Sequence, residues 1–369
     1  MNGARTRTLR TGWTTGACAA AAAKAAYYAL VTGEFPDPIE ITLPKGQRPA
    51  FALACEQHGE GYARAGIIKD AGDDPDVTHG ATVLSTVRRG PPGSGVRFFA
   101  GPGVGTVTRP GLPIPPGEPA INPVPRRMIV AAIAEVAELF GAPTDVEVEV
   151  SIPGGERLAE KTMNPRLGII GGLSVLGTTG IVRPFSCASW IASIHRGIDV
   201  ARATGLTHVV GATGSTSEAV ARARHSLPEE ACLDMGDFVG GTLKYLRAHP
   251  VPRLTLAGGV GKFTKLAQGA LDLHSGRSRV DFHALALLLE EAGGPADLVA
   301  STSAANTAKE VFDQAANAGI DLGGLVARRA RMIARSVLRD APVDLEVIVI
   351  DRSGEILGVA GFDKSCGER

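Results

Sequence analysis

The sequence predicts an α+β two-layer domain combined with an α/β three-layer Rossmann-like domain, and three observations carry that expectation. Apolar and polar residues alternate in segments that follow helical stretches, as in 39–43 and 146–150, which marks strands buried on one face. Short β-rich runs in the middle of the chain end in glycine turns that open helices, at Gly211 and again at Gly258, in the manner of a parallel α/β sheet. The length of 369 residues exceeds what one ordinary core supports, so two domains are expected.

The first element is a helix that begins at Thr14 or Thr15 and is almost entirely alanine from Ala17 to Ala26. A threonine oxygen can cap its first turn, and the free N–H groups there can receive an anion. With no bulky face, this helix must be approached closely, by a sheet or by a ligand. Three units then share a helix followed by a two-strand hairpin. The first pairs 39–43 with 50–54, the second follows the helix 128–140 and pairs 146–150 with 157–159, and the third follows the helix 325–338 and pairs 345–350 with 356–360.

Between the first two units, residues 90–125 carry ten prolines and eight glycines. Such a stretch cannot be helix or central strand, and its varied turn signals predict a structured loop over a site. In residues 166–319, strands at 207–210 and 253–257 end in Gly211-Ala212-Thr213-Gly214-Ser215-Thr216 and Gly258-Gly259-Val260-Gly261, with helices from about Ser217 and Phe263. Ligands of parallel sheets bind at the carboxyl ends of the strands. The expected division is 1–165 for the α+β domain, 166–322 for the α/β domain, and 323–369 for a helix-hairpin that returns to the first sheet.

Composition narrows the function. Lys plus Arg and Asp plus Glu both number 38, which leaves no field to draw nucleic acid or an anionic membrane. The five cysteines, Cys18, Cys55, Cys187, Cys232 and Cys366, are scattered without a Cys-x-x-Cys, so neither a disulfide framework nor zinc is expected. Arg5, Arg7 and Arg10 precede the alanine run as in an export signal, but Lys24 interrupts it. The longest uncharged run, 167–182, is 16 residues and rich in glycine, short of a membrane span. A cytoplasmic location is expected, and a homo-oligomer stays open.

Familiar phosphate motifs fail. A P-loop through Gly261-Lys262 needs glycine at 256 and Ser or Thr at 263, where Leu256 and Phe263 stand. Gly101, Gly103 and Gly105 lack dinucleotide spacing. The densest titratable cluster is Lys69, Asp70, Asp73, Asp74, Asp76 and His79. It reads either as a solvated turn with aspartates capping their neighbours, or as a site for substrate contact or proton acceptance at the end of a strand through Ile67-Ile68. Its spacing does not match a calcium loop. Single cations at Arg88, Arg109, Arg126, Arg127, Arg166, Arg183, Lys262 and Lys265 would suit a ligand with several carboxylates if they converge. His195, His208, His225 and His274 show no metal-ligand spacing and read as structural or surface residues.

Four segments carry a family likeness. They are Leu9-Arg10-Thr11-Gly12-Trp13-Thr14-Thr15-Gly16-Ala17-Cys18 into the alanine helix, Lys69-Asp70-Ala71-Gly72-Asp73-Asp74-Pro75-Asp76-Val77-Thr78-His79-Gly80, the pair 101–108 and 115–123, and Ala257-Gly258-Gly259-Val260-Gly261-Lys262-Phe263-Thr264-Lys265-Leu266. Together and in this order, they resemble the cobalt-precorrin-5B C1-methyltransferase family of cobalamin biosynthesis, along nearly the whole chain. The resemblance implies methyl transfer from S-adenosylmethionine to carbon 1 of a tetrapyrrole, giving cobalt-precorrin-6A, with cobalt present only as part of the substrate. A sulfonium donor is already activated, so the protein has mainly to position the reactants and exclude water.

On this reading Gly211, Thr213, Gly214, Gly258, Gly259 and Gly261 hold the methyl donor. Thr14, Thr15, Gly16, Arg109, Lys262 and Lys265 contact the tetrapyrrole, and Asp70, Asp73, Asp74 and His79 are the catalytic candidates. No metal is bound by the protein itself. The alternatives are a non-catalytic tetrapyrrole-binding protein, which would lack a second pocket, and a nucleotide-dependent phosphotransferase, against which the failed P-loop counts.

Overall fold

The computed structural model describes residues 9–363. It is a mixed α/β structure with several sheets, in two compact units, Met1–Cys187 and Ala188–Arg369. Among the described residues, no helix is long and apolar enough to cross a membrane. Arg5, Arg7 and Cys366 lie outside the described residues.

In the first unit the main sheet runs in the order Cys55–Gly59, Tyr62–Ile68, Thr82–Arg89, Val146–Ser151, Val96–Ala100. Alternate residues face one core: Ala63, Ala65 and Ile67, then Val83, Ser85 and Val87, then Val146, Val148 and Val150. The alanine helix, Thr15–Thr32, lies on this face between the strands and the helix Pro123–Phe140. Ser85 Oγ donates to the Ala19 carbonyl at 2.9 Å. An approach that close is possible because alanine carries nothing beyond Cβ, so the protein's own sheet and helix occupy the space that the sequence left open for a ligand.

Three sequence expectations for this unit need correction. The first hairpin exists only as Ile39–Glu40 against Ala50–Phe51, a two-stranded ribbon apart from the main sheet. The second is absent: Gly155–Ala159 is a short helix, since Glu, Arg, Leu and Ala are good helix formers. Val146–Ser151 pairs instead with Thr82–Arg89 and Val96–Ala100. The boundary falls after Cys187, not at 165, because the uncharged run pairs backwards. Ile169–Ile170 pairs with Thr106–Val107, Gly172–Leu173 with Gly103–Val104, and Ile181–Val182 with Gly12–Trp13. The proline-rich stretch is therefore ordered, as expected.

The second unit holds a sheet in the order Cys232–Leu233, His208–Ala212, Arg253–Gly259, Asp344–Ile350, Ile356–Ala360. The first four strands are mutually parallel and the last is antiparallel. Val209, Leu254, Leu256, Leu345, Val347 and Val349 pack into one core, and Val210, Ala212, Ala257, Ile348 and Ile350 into another. The sheet is thus covered on both faces, with Ser215–His225 on the second.

The expected return of the C-terminus to the first sheet does not occur. Asp344–Ile350 pairs in parallel with Arg253–Gly259, and the helix Leu322–Leu338 packs on the same sheet. The reason is in the strand's own residues: Leu345 to Ile350 are all buried, as parallel strands covered on both faces require.

Candidate functional site

Successive connections define a crevice in the second unit. The chain leaves His208–Ala212 through the helix Ser215–His225 for the strand Cys232–Leu233 on one side, then returns through the helix Val239–Ala248 to Arg253–Gly259 on the other. The strand order therefore reverses between His208–Ala212 and Arg253–Gly259, and such a reversal leaves a crevice at the carboxyl ends. Both glycine turns border it, each opening a helix, Ser215–His225 or Val260–Ala267.

The glycines divide by what a side chain would meet. A Cβ at Gly258 would lie 2.1 Å from Phe263 Cε2, and one at Gly211 3.0 Å from both Leu256 Cδ2 and Met235 Sδ. These two are buried within strands and serve packing. A Cβ at Gly214 or Gly261 would find no atom within 4 Å, and one at Gly259 only the Ile350 carbonyl oxygen at 4.0 Å. These glycines and Thr213 border open space, a cradle that side chains would otherwise fill.

Lys262 stitches this end of the sheet together. Its Nζ donates to the Thr213 carbonyl at 3.0 Å and lies 3.0 Å from Asp237 Oδ1, joining loops that follow three neighbouring strands. Asp237, which sequence reasoning missed, already matches the lysine's charge. Lys265 is directed elsewhere: it is buried, and its Nζ donates to the Leu273 carbonyl at 2.8 Å.

In the first unit the aspartates end up close together but individually engaged. Asp70 forms a two-point ion pair with Arg10, and its carboxylate also accepts the Gly72 N–H at 2.9 Å. The Arg10 hydrogen bond, with that backbone donor, holds the Asp70 carboxyl down to about 2. Asp73 accepts the Arg10 backbone N–H at 2.8 Å. Asp74 accepts the N–H of Phe185 at 2.8 Å, a residue held at φ 54°. His79 Nδ1 accepts the Ala71 N–H at 3.1 Å, which places the proton of the neutral ring on Nε2. Beneath them Lys69 is almost wholly buried and paired with Asp76 and with Thr78 Oγ1. Burial works against ionisation of Asp76, but the Lys69 ammonium and hydrogen bonds from Lys69 and Thr78 prevail and hold its carboxyl below the ordinary range.

Thr14, Thr15 and Gly16 are buried at the start of the alanine helix. Thr14 is the N-cap, its Oγ1 accepting the Ala17 N–H at 3.2 Å. The Gly16 N–H donates to the Leu176 carbonyl at 3.0 Å, so an anion at this end would have to displace that carbonyl. Arg109 packs along Gly168 and donates to the Arg166 carbonyl at 3.4 Å. Among the described residues, no group of three or more His, Cys, Asp or Glu side chains is placed to hold a metal ion.

Comparison with known proteins adds the family. A family model described as CbiD matches residues 2–184, and one described as the CbiD C-terminal domain matches residues 272–361. Proteins from Brucella canis and Brucella suis biovar 1, each named cobalt-precorrin-5B C(1)-methyltransferase, are 63% identical over 349 residues, 95% of this chain and 95% of theirs. A solved structure titled as a cobalamin biosynthesis protein (cbiD) from Archaeoglobus fulgidus is similar at 24% identity and a TM-score of 0.39, covering 84% of this chain and 85% of that one.

Proposed function

The chain belongs to the CbiD family, and from that premise we propose that it methylates carbon 1 of cobalt-precorrin-5B, using S-adenosylmethionine, in cobalamin biosynthesis. The observation that carries this reading is the 63% identity, over 95% of both chains, to relatives named for that reaction. In the transfer the acceptor carbon attacks the methyl carbon, the carbon–sulfur bond breaks, and its electron pair stays on sulfur to give S-adenosylhomocysteine. The sulfonium supplies the leaving group, which leaves alignment and exclusion of water to the protein.

We propose that the second unit is Rossmann-like and takes the methyl donor in its crevice. In support, the strand order reverses there, two helices open there, and Gly214, Gly259 and Gly261 leave room. The donor's carboxylate suits a helix N-terminus. Lys262 acts by holding the three loops in register, since Asp237 already balances its charge.

For the tetrapyrrole, the loop bearing Asp70, Asp73, Asp74 and His79 remains the proposed contact in the first unit. Asp70, held ionised by Arg10 at about 2, is too weak a base near neutrality. The test is incubation of the purified chain with cobalt-precorrin-5B and S-adenosylmethionine, with mass analysis of the macrocycle. A single added methyl group at carbon 1 is expected; an unchanged macrocycle in the presence of both reactants overturns the proposal.

A further inference from the structure

The strand beside the first glycine turn ends in a feature that the crevice alone does not explain. Gly211 is in register with Leu233, so Asp234 stands abreast of Ala212, immediately before Thr213 and Gly214. Asp234 is exposed at that strand end and lies twenty residues after Gly214 in sequence. In parallel sheets that bind nucleotides at a glycine turn, an acidic residue at this spacing, ending the neighbouring strand, accepts the ribose hydroxyls.

An aromatic wall stands beside it. The Trp190 indole N–H donates to the Asp234 carbonyl at 2.7 Å, and the ring passes over Gly236, where a Cβ would lie 3.1 Å from Trp190 Cζ2. Phe238 flanks the ring at 5.9 Å between centroids. The Gly236 N–H donates in turn to the Ala212 carbonyl at 3.0 Å, which ties the segment 234–238 to the strand end bordering the crevice. Yet Trp190 remains 47% exposed, although it is anchored at its nitrogen and packed on one side. A fixed, half-exposed indole next to an exposed aspartate at the strand end is the pairing that an adenine ring and a ribose diol would need.

We infer that Asp234 and Trp190 hold the nucleoside half of the methyl donor, the carboxylate accepting the ribose hydroxyls and the indole stacking on the base. The assignment rests on the reading of the crevice as the methyl-donor site, and it adds the residues that recognise a nucleoside.

Isothermal titration of the full chain with S-adenosylhomocysteine, and with its 2′,3′-dideoxy analogue, tests both levels. Asp234→Asn should weaken S-adenosylhomocysteine at least about tenfold, as expected for loss of a charge-assisted hydrogen bond, while changing affinity for the dideoxy analogue less than about threefold. Trp190→Leu should weaken both ligands about tenfold or more, and Trp190→Phe should restore most of that loss, since a stacking face is retained. Equal losses for the two ligands in Asp234→Asn, or parent-like binding in both Asp234→Asn and Trp190→Leu, would overturn the assignment while leaving the crevice reading intact. Parent protein that binds neither ligand would overturn both.

Discussion

The buried carboxylate of Glu346 offers the sharpest test of how the second unit is held together. Its side chain is 3% exposed in the middle of the sheet. It accepts from His225 Nε2 at 2.5 Å, from Thr255 Oγ1 at 3.0 Å and from Arg224 Nε at 3.4 Å. Glu346→Ala would leave these donors without an acceptor, and breaking a buried pair by removing one partner costs about 3–5 kcal/mol. Arg224 is 40% exposed and recovers water, so its share is small and the low end, about 3 kcal/mol, applies. At about 2–4 °C per kcal/mol for a unit of this size, the thermal midpoint should fall by about 6–12 °C. In a double-mutant cycle with His225→Ala, the second substitution should cost at least about 1 kcal/mol less once Glu346 is gone. A midpoint lowered by under about 2 °C, or losses that simply add, would refute the argument that this carboxylate organises its surroundings.

Other expectations follow from the same geometry. His208 beside this network is held down to about 4, by burial first and then by His225. With its folded value below the ordinary 6.5, its contribution is whole above pH 6.5 and lost as pH falls toward 4, so urea midpoints should decline through that window, and less steeply in His208→Gln. Asp70, depressed from 3.8 to about 2 by Arg10, contributes above pH 4 and loses that contribution between about 4 and 2. Asp70→Asn should therefore flatten the acid limb of the stability curve in that lower window. Ala20→Leu, in a helix covered on all sides, should destabilise by about 1–3 kcal/mol through overpacking; a neutral result in denaturant unfolding would mean that the helix has room. Lys262→Ala should weaken S-adenosylhomocysteine binding in titration with little change in the unfolding midpoint, since the lysine is 37% exposed; unchanged affinity would remove its positioning role.

The fold was legible where residue size and alternation act together. Val146, Val148 and Val150 announced a one-sided strand, and the glycine turns after residues 210 and 257 announced parallel strands. The strand Tyr62–Ile68 was legible only at Ile67 and Ile68, because its other inward residues are Ala63 and Ala65, and alanine is too weakly apolar to mark a period of two. Those alanines are the counterpart of the alanine helix lying on them. Small residues on both partners permit the approach that Ser85 bridges to Ala19, and they hide the strand from any pattern built on bulk. The C-terminal hairpin is legible in the sequence but its sheet is not: hairpin geometry is local, whereas the choice of neighbour depends on burial of both faces.

The site was legible by position more than by role. Glycine spacing marks the strand ends, but nothing local separates Gly258, whose hydrogen makes room for Phe263, from Gly214, whose missing side chain faces open space. That distinction depends on which atoms the fold brings near each Cα. The aspartates show the same limit more strongly. Asp70, Asp73 and Asp76 read as a dense charge suited to chemistry, yet Arg10 lies 60 residues before Asp70 and ties down two of them, while buried Lys69 takes the third. A carboxylate's reactivity follows from its partner and its exposure, both set by chain segments remote in sequence. His79 follows the same rule: its side chain is half exposed, but the Ala71 N–H occupies the Nδ1 lone pair, so the neutral ring presents an N–H and not a lone pair at Nε2.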